Sequence, residues 1–307
     1  MPGQDINTTT TGVYLPPEVS GEIWQTTLEQ SFIQRAANQI DLPGNGVAVD
    51  IITGDPVAEF VNETDQKPVS NPTVSSKIVY PHTIAVIETF SNKFRRNKSA
   101  LYNALVNRMP MAIAKTFDRA VLFGEGAPST NFDTLEDVAA VSVYSSPYAG
   151  LLTGLQSVVD ADGDIDNWAI SPSGEILFMG QVDEQGRPLF IESITNDGAV
   201  GRLLGRPALK HKWVGNPGVP GDISEDIDST PATVGFGGDW STASWGVSEN
   251  IAIDINTKGS VTLAGGTTIN LWQRNMFAVR VEIEIGFRLE TDEKFVRLTG
   301  ATPAQVA

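Results

Sequence analysis

Residues 53–73 read TGDPVAEFVNETDQKPVSNPT and form the most informative segment of the chain. The four apolar side chains at its centre, Val57, Phe60, Val61 and Val69, are separated by Glu, Asn, Asp and Lys. A loop longer than about 15 residues without a core of its own is uncommon in a compact domain and usually serves a purpose. These apolar side chains gain most by packing on another molecule, which favours a subunit of an assembly.

One long amphipathic helix is predicted at residues 99–123. Ser99 is its expected N-cap and Gly124 its expected end. Pro110 has no amide hydrogen and crowds the preceding turn, so we expect a kink there, within one helix. Six apolar residues recur every four positions, Leu101, Leu105, Met109, Ile113, Phe117 and Val121, and Ala112, Thr116 and Ala120 are expected to widen this stripe.

Residues 278–288 show the clearest strand pattern. Apolar side chains at Val279, Val281, Ile283, Ile285 and Phe287 alternate with Arg280, Glu282, Glu284 and Arg288. This period of two is typical of a sheet with one buried face. We expect that face to cover the underside of the long helix, which makes the first domain discontinuous and the fold class α+β.

Other segments give weaker signals. Residues 47–51 alternate as a strand, 77–90 read as one returning strand, and 32–42 read as extended chain. The pairs Ser146–Pro147 and Ser171–Pro172 are expected to open two further helices. A short strand is expected at 168–170, and further short β segments are expected in the Gly-rich and Pro-rich region 180–270, at 189–194, 210–214, 233–237 and 251–255.

Composition excludes several classes of protein. The formal net charge of −16 argues against a main surface that neutralises nucleic-acid phosphates. Cysteine is absent, so disulfides and thiolate metal sites are excluded. No stretch of about 18 apolar residues is present to span a bilayer, and no membrane partner is expected.

The sequence offers few residues suited to enzyme catalysis, and no catalytic or cofactor-binding residue is expected. His82 and His211 are the only histidines, no G-x-S-x-G or phosphate-binding glycine motif occurs, and a hydrolase is the last alternative. The sequence DADGDID at 160–166 resembles a calcium loop, but Gly163 stands fourth and Ser171 twelfth, where an EF-hand needs glycine sixth and glutamate twelfth. A solvated turn without metal is the better interpretation.

Three sets of residues are candidates for contacts between subunits. Phe60, Val61 and Lys67 lie on the long loop. A basic run precedes the long helix, and subunit contact is favoured for it over nucleic-acid contact, with the members Lys93, Arg95, Arg96 and Lys98. An acidic loop in the middle region is too polar for a core, with the members Asp222, Glu225, Asp226 and Asp228.

A different class of protein stays open for the middle region. Its Gly-rich, β-rich composition also suits a receptor-binding or carbohydrate-binding protein, in which Trp213, Trp240 and Trp245 would line a groove. The alternative, in which these tryptophans form the core of a sheet, is favoured.

Five segments in a fixed order carry a resemblance to a known family. They are the loop at 53–73, the helix SALYNALVNRMPMAIAKTFDRAVLFGEG at 99–126, VDEQGRPLF at 182–190, GDWSTASWGVSENIAIDI at 238–255 and VRVEIEIGFRLETDEKFVRLTG at 279–300. Together they resemble the major capsid proteins of tailed bacteriophages, the Hong Kong ninety-seven-like fold shared with encapsulins and herpesvirus shells.

The resemblance implies a domain plan. It comprises an N-terminal arm at 1–46, an extended β-hairpin loop (E-loop) at 47–90, a peripheral domain at 91–143 and 271–307 with its spine helix at 99–123, and an inserted axial domain at 144–270. In that family the E-loop lies across the spine helix of a neighbouring subunit, and axial domains meet around fivefold and sixfold positions. The acidic loop is therefore expected to face a symmetry axis.

The resemblance also implies a function and partners. We expect a structural protein, not an enzyme, that self-assembles as pentamers and hexamers into an icosahedral head enclosing double-stranded DNA on its inner face. A separate scaffolding protein and a portal are expected partners, and the location is the virion after assembly in the cytoplasm of a bacterial host. Lys67 has no matched partner for an isopeptide cross-link, so noncovalent contacts are expected. The alternative is an encapsulin-type shell around an enzyme cargo.

Overall fold

The computed structural model describes residues 31–52, 58–63, 66–70, 74–93, 99–128, 131–181, 201–219, 230–263 and 265–302. Its helices are α1 Phe32–Ala36, α2 Ser99–Phe123, α3 Pro147–Asp160 and α4 Pro172–Met179. Its strands are β1 Asn38–Asp41, β2 Val47–Ile52, β3 Val74–Val79, β4 His82–Ser91, β5 Ala139–Ser142, β6 Asn167–Ile170, β7 Gly201–Leu203, β8 Arg206–Lys210, β9 Thr233–Gly238, β10 Ala243–Asn256, β11 Ser260–Thr262, β12 Thr268–Asn270, β13 Met276–Leu289 and β14 Phe295–Thr299.

A four-stranded sheet in the order β1-β10-β13-β4 is built around β13. The strand predicted at 278–288 is confirmed and runs slightly longer, from Met276 to Leu289. Its apolar face is buried and its charged face is exposed or half-buried, which is the one-sided burial that the period of two predicts. The strand pairs antiparallel with both β10 and β4.

A second sheet of six strands has the order β5-β14-β9-β6-β8-β7. Helices α3 and α4 pack against it, and Leu151, Val158 and Phe178 join strand residues in one buried cluster. Both helices begin where predicted. Pro147 is the first residue of α3, and the Ser171 hydroxyl caps α4 by accepting the Gly174 amide hydrogen at 3.0 Å.

Helix α2 lies against the core that the two sheets share. Phe117 and Val121 from the helix meet aromatic side chains of both sheets, including Phe236, Trp245 and Phe287. The helix ends at Phe123, and Gly124 follows with φ of +69°, which confirms the predicted end. Because α2 already includes Ser99, that residue is its first helical residue and not the N-cap.

Two details of α2 refine the prediction. Pro110 lies inside one continuous helix, and the kink there stays a prediction. Ala112 and Thr116 do not widen the buried stripe, since both are exposed, whereas Ile113 and Ala114 are buried. The buried face therefore follows the helical period of 3.6 and rotates away from a strict spacing of four.

Strand pairing differs from the expected domain plan at two places. Strand β10, inside the span 144–270, pairs with β13 and so belongs to the four-stranded sheet. Strand β14, inside the span 271–307, pairs with β9 and β5 in the six-stranded sheet. The chain crosses between the two sheets more often than a single insertion allows, and a shared aromatic core is the physical result.

The expected return strand at 77–90 is two strands. Strand β3 ends at Val79 and pairs with β2, whereas β4 begins at His82 and pairs with β13. Pro81 lies between them and has no amide hydrogen to donate to a ladder, so pairing stops there. The β2–β3 hairpin therefore begins at Val47 and ends at Val79, short of the expected E-loop limit at 90.

The segment 32–42 is not extended throughout. Residues Phe32–Ala36 form α1, and only Asn38–Asp41 form a strand. The Ser31 hydroxyl accepts the Gln34 amide hydrogen, and Phe32 and Ile33 are buried. In the middle region, β6, β9 and β10 confirm three predicted pieces, 210–214 is mainly a 3₁₀ turn, and 189–194 lies outside the described residues.

Candidate assembly surface

The β2–β3 hairpin presents the long loop on the outside of the subunit. Its strands pair antiparallel from Val47 opposite Val79 to Ile52 opposite Val74. Phe60 is fully exposed, and Val69 is 84 % exposed. Burying one such Phe side chain contributes about 1.5–3 kcal/mol, so burial of this loop against another surface would favour association.

The root of the hairpin is fixed to the four-stranded sheet. The Lys77 ammonium donates to the carbonyl oxygen of Leu289 at 2.9 Å and lies 3.6 Å from the Asp133 carboxylate. Asp133 also accepts from the Leu289 amide at 2.9 Å and from Arg288 at 3.0 Å. We call Lys77, Asp133, Arg288 and Leu289 the root cluster.

The root cluster also sets the direction of the hairpin. A Cβ atom added to Gly286 would lie 2.5 Å from the Tyr80 carbonyl oxygen, so the base of β3 lies beside Gly286. Lys77, further along β3, reaches Leu289 at the end of β13. The hairpin therefore continues past the Leu289 end of β13, away from the Met276 end of that strand.

The outward face of α2 is cationic. Arg108, Met111 and Lys115 are exposed, while Met109 and Ile113 on the opposite face are buried. No acidic residue occurs between Thr89 and Phe117 in the sequence. This face suits a partner that carries carboxylates.

Asp118 is a buried carboxylate that joins α2 to α1. It accepts hydrogen bonds from the Ser31 hydroxyl at 2.6 Å and from the amides of Phe32 and Ile33 at 2.8 and 3.2 Å. Burial raises the pKa of Asp118 to about 7, and these three hydrogen bonds act in the opposite direction. The group satisfies amide hydrogens at the start of α1 that have no partner within the helix.

His211 lies near Asp118 without forming a catalytic arrangement. Its Nδ1 is 3.9 Å from the Asp118 carboxylate and accepts the Trp213 amide hydrogen at 3.4 Å. The Ser31 hydroxyl is fully buried and donates to the Asp118 carboxylate, whereas a serine nucleophile must be accessible to a substrate. The cluster is built to hold two elements together.

The other polar and aromatic motifs are structural in the described residues. The DADGDID segment forms the turn after α3, where Asp162 has φ of +55° and Asp164 pairs with Arg206 at 2.6 Å. No group of three or more metal-ligating side chains occurs in the described part of the chain. Trp213, Trp240 and Trp245 are buried, as the sheet-core interpretation predicts, and do not line a groove.

The predicted contact residues fall into three groups. Phe60, Val61 and Lys67 are exposed on the hairpin loop. Lys93 is exposed just beyond β4, near the Met276 end of β13, so it lies far from the hairpin root. The remaining candidates lie outside the described residues, namely Arg95, Arg96, Lys98, Asp222, Glu225, Asp226 and Asp228.

Sequence reasoning missed two features of this surface. The root cluster joins residues 77, 133 and 288, which are too far apart in sequence for local patterns to connect. Trp272, in the turn before β13, is 72 % exposed and was not singled out. The sequence does carry a signal for the surface around Trp272, because residues 255–281 contain no Asp or Glu although the chain is strongly acidic.

Comparisons with known proteins agree on one class. A family model described as the phage capsid family matches residues 11–300. The "Probable major capsid protein gp17" of Mycobacterium phage D29 is 28 % identical over 302 residues, covering 93 % of this chain and 90 % of that protein.

Solved structures show the same fold at lower identity. A chain from Mycobacterium phage Cain has a TM-score of 0.70 at 18 % identity, covering 90 % of this chain and 92 % of that one. The capsid of an empty GTA particle has a TM-score of 0.62 at 14 % identity, covering 89 % of this chain and 90 % of that one.

The hairpin, the long helix and the two sheets thus define a tailed-phage capsid fold, and the predicted fold class is confirmed. The chain belongs to the phage capsid family. As a phage capsid protein it is a structural component of the virion. No helix of the described residues is long and apolar enough to cross a membrane.

Proposed function

We propose that the chain is the major capsid subunit, which self-assembles as pentamers and hexamers into an icosahedral shell around the double-stranded DNA of a tailed bacteriophage. The observation that carries this proposal is the exposed apolar loop of the β2–β3 hairpin. Phe60, Val61 and Val69 have no place in the core of their own subunit, since all three are exposed. A neighbouring subunit provides the surface that buries them.

Many modest contacts make such a shell stable. A standard interface buries about 1,600 Å², and a subunit held by several interfaces at once gains from their combined effect. The acidic composition keeps free subunits apart, because like charges repel at long range. Assembly then depends on local patches of complementary charge and apolar surface.

The domain plan enters this proposal in a revised form. The E-loop corresponds to the hairpin Val47–Val79, and β4, β10 and β13 form the peripheral sheet beneath the spine helix α2. The six-stranded sheet with α3 and α4 corresponds to the axial domain. The basic run 93–98 is proposed as a subunit contact, and the acidic residues 222–228 are proposed to face the symmetry axis.

The remaining partners follow from the same proposal. A separate scaffolding protein and a portal are expected during assembly in the host cytoplasm, and packaged DNA is expected on the inner face. Purified particles that contain DNA would support the phage head. Particles filled with an enzyme and free of DNA would support an encapsulin-type shell instead.

The test is a double substitution on the loop. Phe60→Asp with Val61→Asp replaces two exposed apolar side chains by carboxylates, so the fold is expected to stay intact while shells fail to form. Negative-stain microscopy and sedimentation measure the particles, and circular dichroism measures the fold. The matched control is Val159→Asp, an exposed apolar residue on α3. Normal shells from the loop double variant would contradict the role assigned to the loop.

A further inference from the structure

The turn between β12 and β13 has a hydrogen-bonded backbone and carries one large exposed aromatic side chain. Trp272 is 72 % exposed. Its carbonyl oxygen accepts the Asn275 amide hydrogen at 3.2 Å, and the Met276 amide donates to Leu271 at 2.8 Å. Tryptophan is among the residue types enriched in the side chains that dominate protein interfaces.

Three exposed cations lie on the chain segments that meet at this turn. The Leu271 amide donates to the Gly259 carbonyl at 3.0 Å, which places Lys258 beside the turn. The Asn92 amide donates to the Asn275 carbonyl at 2.8 Å, which places Lys93 beside Arg274. We call Lys93, Lys258, Trp272 and Arg274 the tryptophan corner.

The charge of the corner is opposite to that of the chain. Residues 89–117 and 255–281 together hold nine of the 21 Lys and Arg and none of the 37 Asp and Glu. Lys93, Lys258 and Arg274 are exposed, and none of them forms a salt bridge with another described residue. The corner therefore offers exposed positive charge to the acidic remainder of another copy.

A segment with the complementary character lies on the hairpin loop. Glu59, Phe60 and Glu63 are all exposed, so an aromatic side chain there has a carboxylate on each side in sequence. In its own subunit this loop projects beyond the Leu289 end of β13, whereas the corner lies at the Met276 end. Fourteen strand residues separate those ends by roughly 45 Å. A second copy must supply the loop that meets a given corner.

We propose that the tryptophan corner receives residues 58–63 of a second copy of the chain. Phe60 packs on the Trp272 ring, and Glu59 and Glu63 meet the cations of the corner. This inference rests on the proposed function and adds to it the surface that receives the loop tip. A DNA duplex is the less favoured occupant, because binding its phosphates needs cations but gives an exposed aromatic ring no role.

Charge reversal and rescue test the pairing. Lys258→Glu with Arg274→Glu is expected to reduce shell yield at least tenfold, and Glu59→Lys with Glu63→Lys is expected to do the same. The quadruple variant restores the attraction with its sign inverted, so it should recover most of the yield. All four side-chain changes are made in the full chain, and thermal melting of each variant reports its fold.

A second pair of variants identifies the correct receiving surface. Arg108→Glu with Lys115→Glu reverses the charge on the outward face of α2 and is combined with the same loop changes. Rescue by this pair, and not by the corner pair, would overturn the proposal in favour of the helix face. Failure of the corner quadruple to exceed either double variant would overturn it as well.

Two further outcomes separate this inference from the proposed function. Absence of shells from the unmodified chain would overturn both. Normal shells from the Lys258→Glu, Arg274→Glu variant would overturn the corner and leave the capsid function standing. Binding of a labelled DNA duplex to the unmodified chain, lost in that variant, would assign the corner to DNA.

Discussion

Replacing Asp118 by Asn tests whether one buried carboxylate holds α1 to α2. The substitution keeps the size of the side chain and removes its ability to ionise. The carboxylate accepts three hydrogen bonds, from the Ser31 hydroxyl and the amides of Phe32 and Ile33. An amide nitrogen at one of these positions would face a donor, which costs about 1–3 kcal/mol when buried.

The pH dependence gives the prediction its magnitude. Burial raises the pKa of Asp118 from 3.8 to about 7, so the folded chain keeps a proton that the unfolded chain releases. Each pKa unit corresponds to about 1.4 kcal/mol, and the whole shift is therefore on the order of 4 kcal/mol. The contribution of protonated Asp118 to the free energy of unfolding is fully present below about pH 4, decreases as pH rises, and is lost above about pH 7.

The assay is urea unfolding of dissociated subunits at several values between pH 4 and pH 8. The free energy of unfolding of the unmodified chain is expected to fall, relative to that of Asp118→Asn, by a few kcal/mol across this range. Using the difference between the two proteins removes the contribution of the other carboxylates. A difference that is constant with pH, or that grows as pH rises, would refute the reasoning.

Two further predictions concern the hairpin root and the glycine-rich sheet. Lys77→Met removes the donor to the Leu289 carbonyl, so hydrogen exchange of the β2–β3 amides should become at least threefold faster in mass spectrometry. The free energy of unfolding should change by less than about 1 kcal/mol. Unchanged exchange, or the same change in a Lys210→Met control, would contradict the role of Lys77 in anchoring the hairpin. Gly237→Ala places a Cβ 2.4 Å from the buried Trp168 ring and should destabilise the chain by about 1–3 kcal/mol in thermal melts, whereas Gly265→Ala, with open space, should not.

The parts of the fold that sequence predicted well are governed by local periodicity. The alternation along β13 and the Ser–Pro starts of α3 and α4 depend on residues that are neighbours in sequence. The period of two and the cap residues report the burial pattern and the helix start directly. The end of α2 at Gly124 belongs to the same group.

The parts that sequence did not predict depend on distant partners. Helix α1 is only five residues long, and its amides are satisfied by Asp118, 86 positions away from Phe32. The place of β10 beside β13 depends on pairs such as Trp245 with Phe287, which local alternation does not specify. Pro81 was a usable local signal for the break between β3 and β4, but the apolar run around it favoured one strand.

The candidate assembly surface likewise has one part that local sequence predicts and one part that depends on distant residues. The exposed loop with Phe60 was predictable, because its apolar residues are too few and too interrupted to form a core. The tryptophan corner was not, because Lys93 and Trp272 come together only through pairing of β4 with β13. The root cluster likewise needs three separate segments of chain.

The root cluster is the point about which the β2–β3 hairpin can rotate relative to the four-stranded sheet. From Lys77 the paired strands continue for three residues to Val74, so the arm reaches about 10 Å from the pivot before the loop begins. A rotation of about ten degrees at the pivot would move the end of the paired strands by roughly 2 Å at that radius. In the proposed shell, pentamers and hexamers differ in curvature. A small rotation about the ion pairs of the root cluster would let the same rigid hairpin contact its neighbour at both kinds of position.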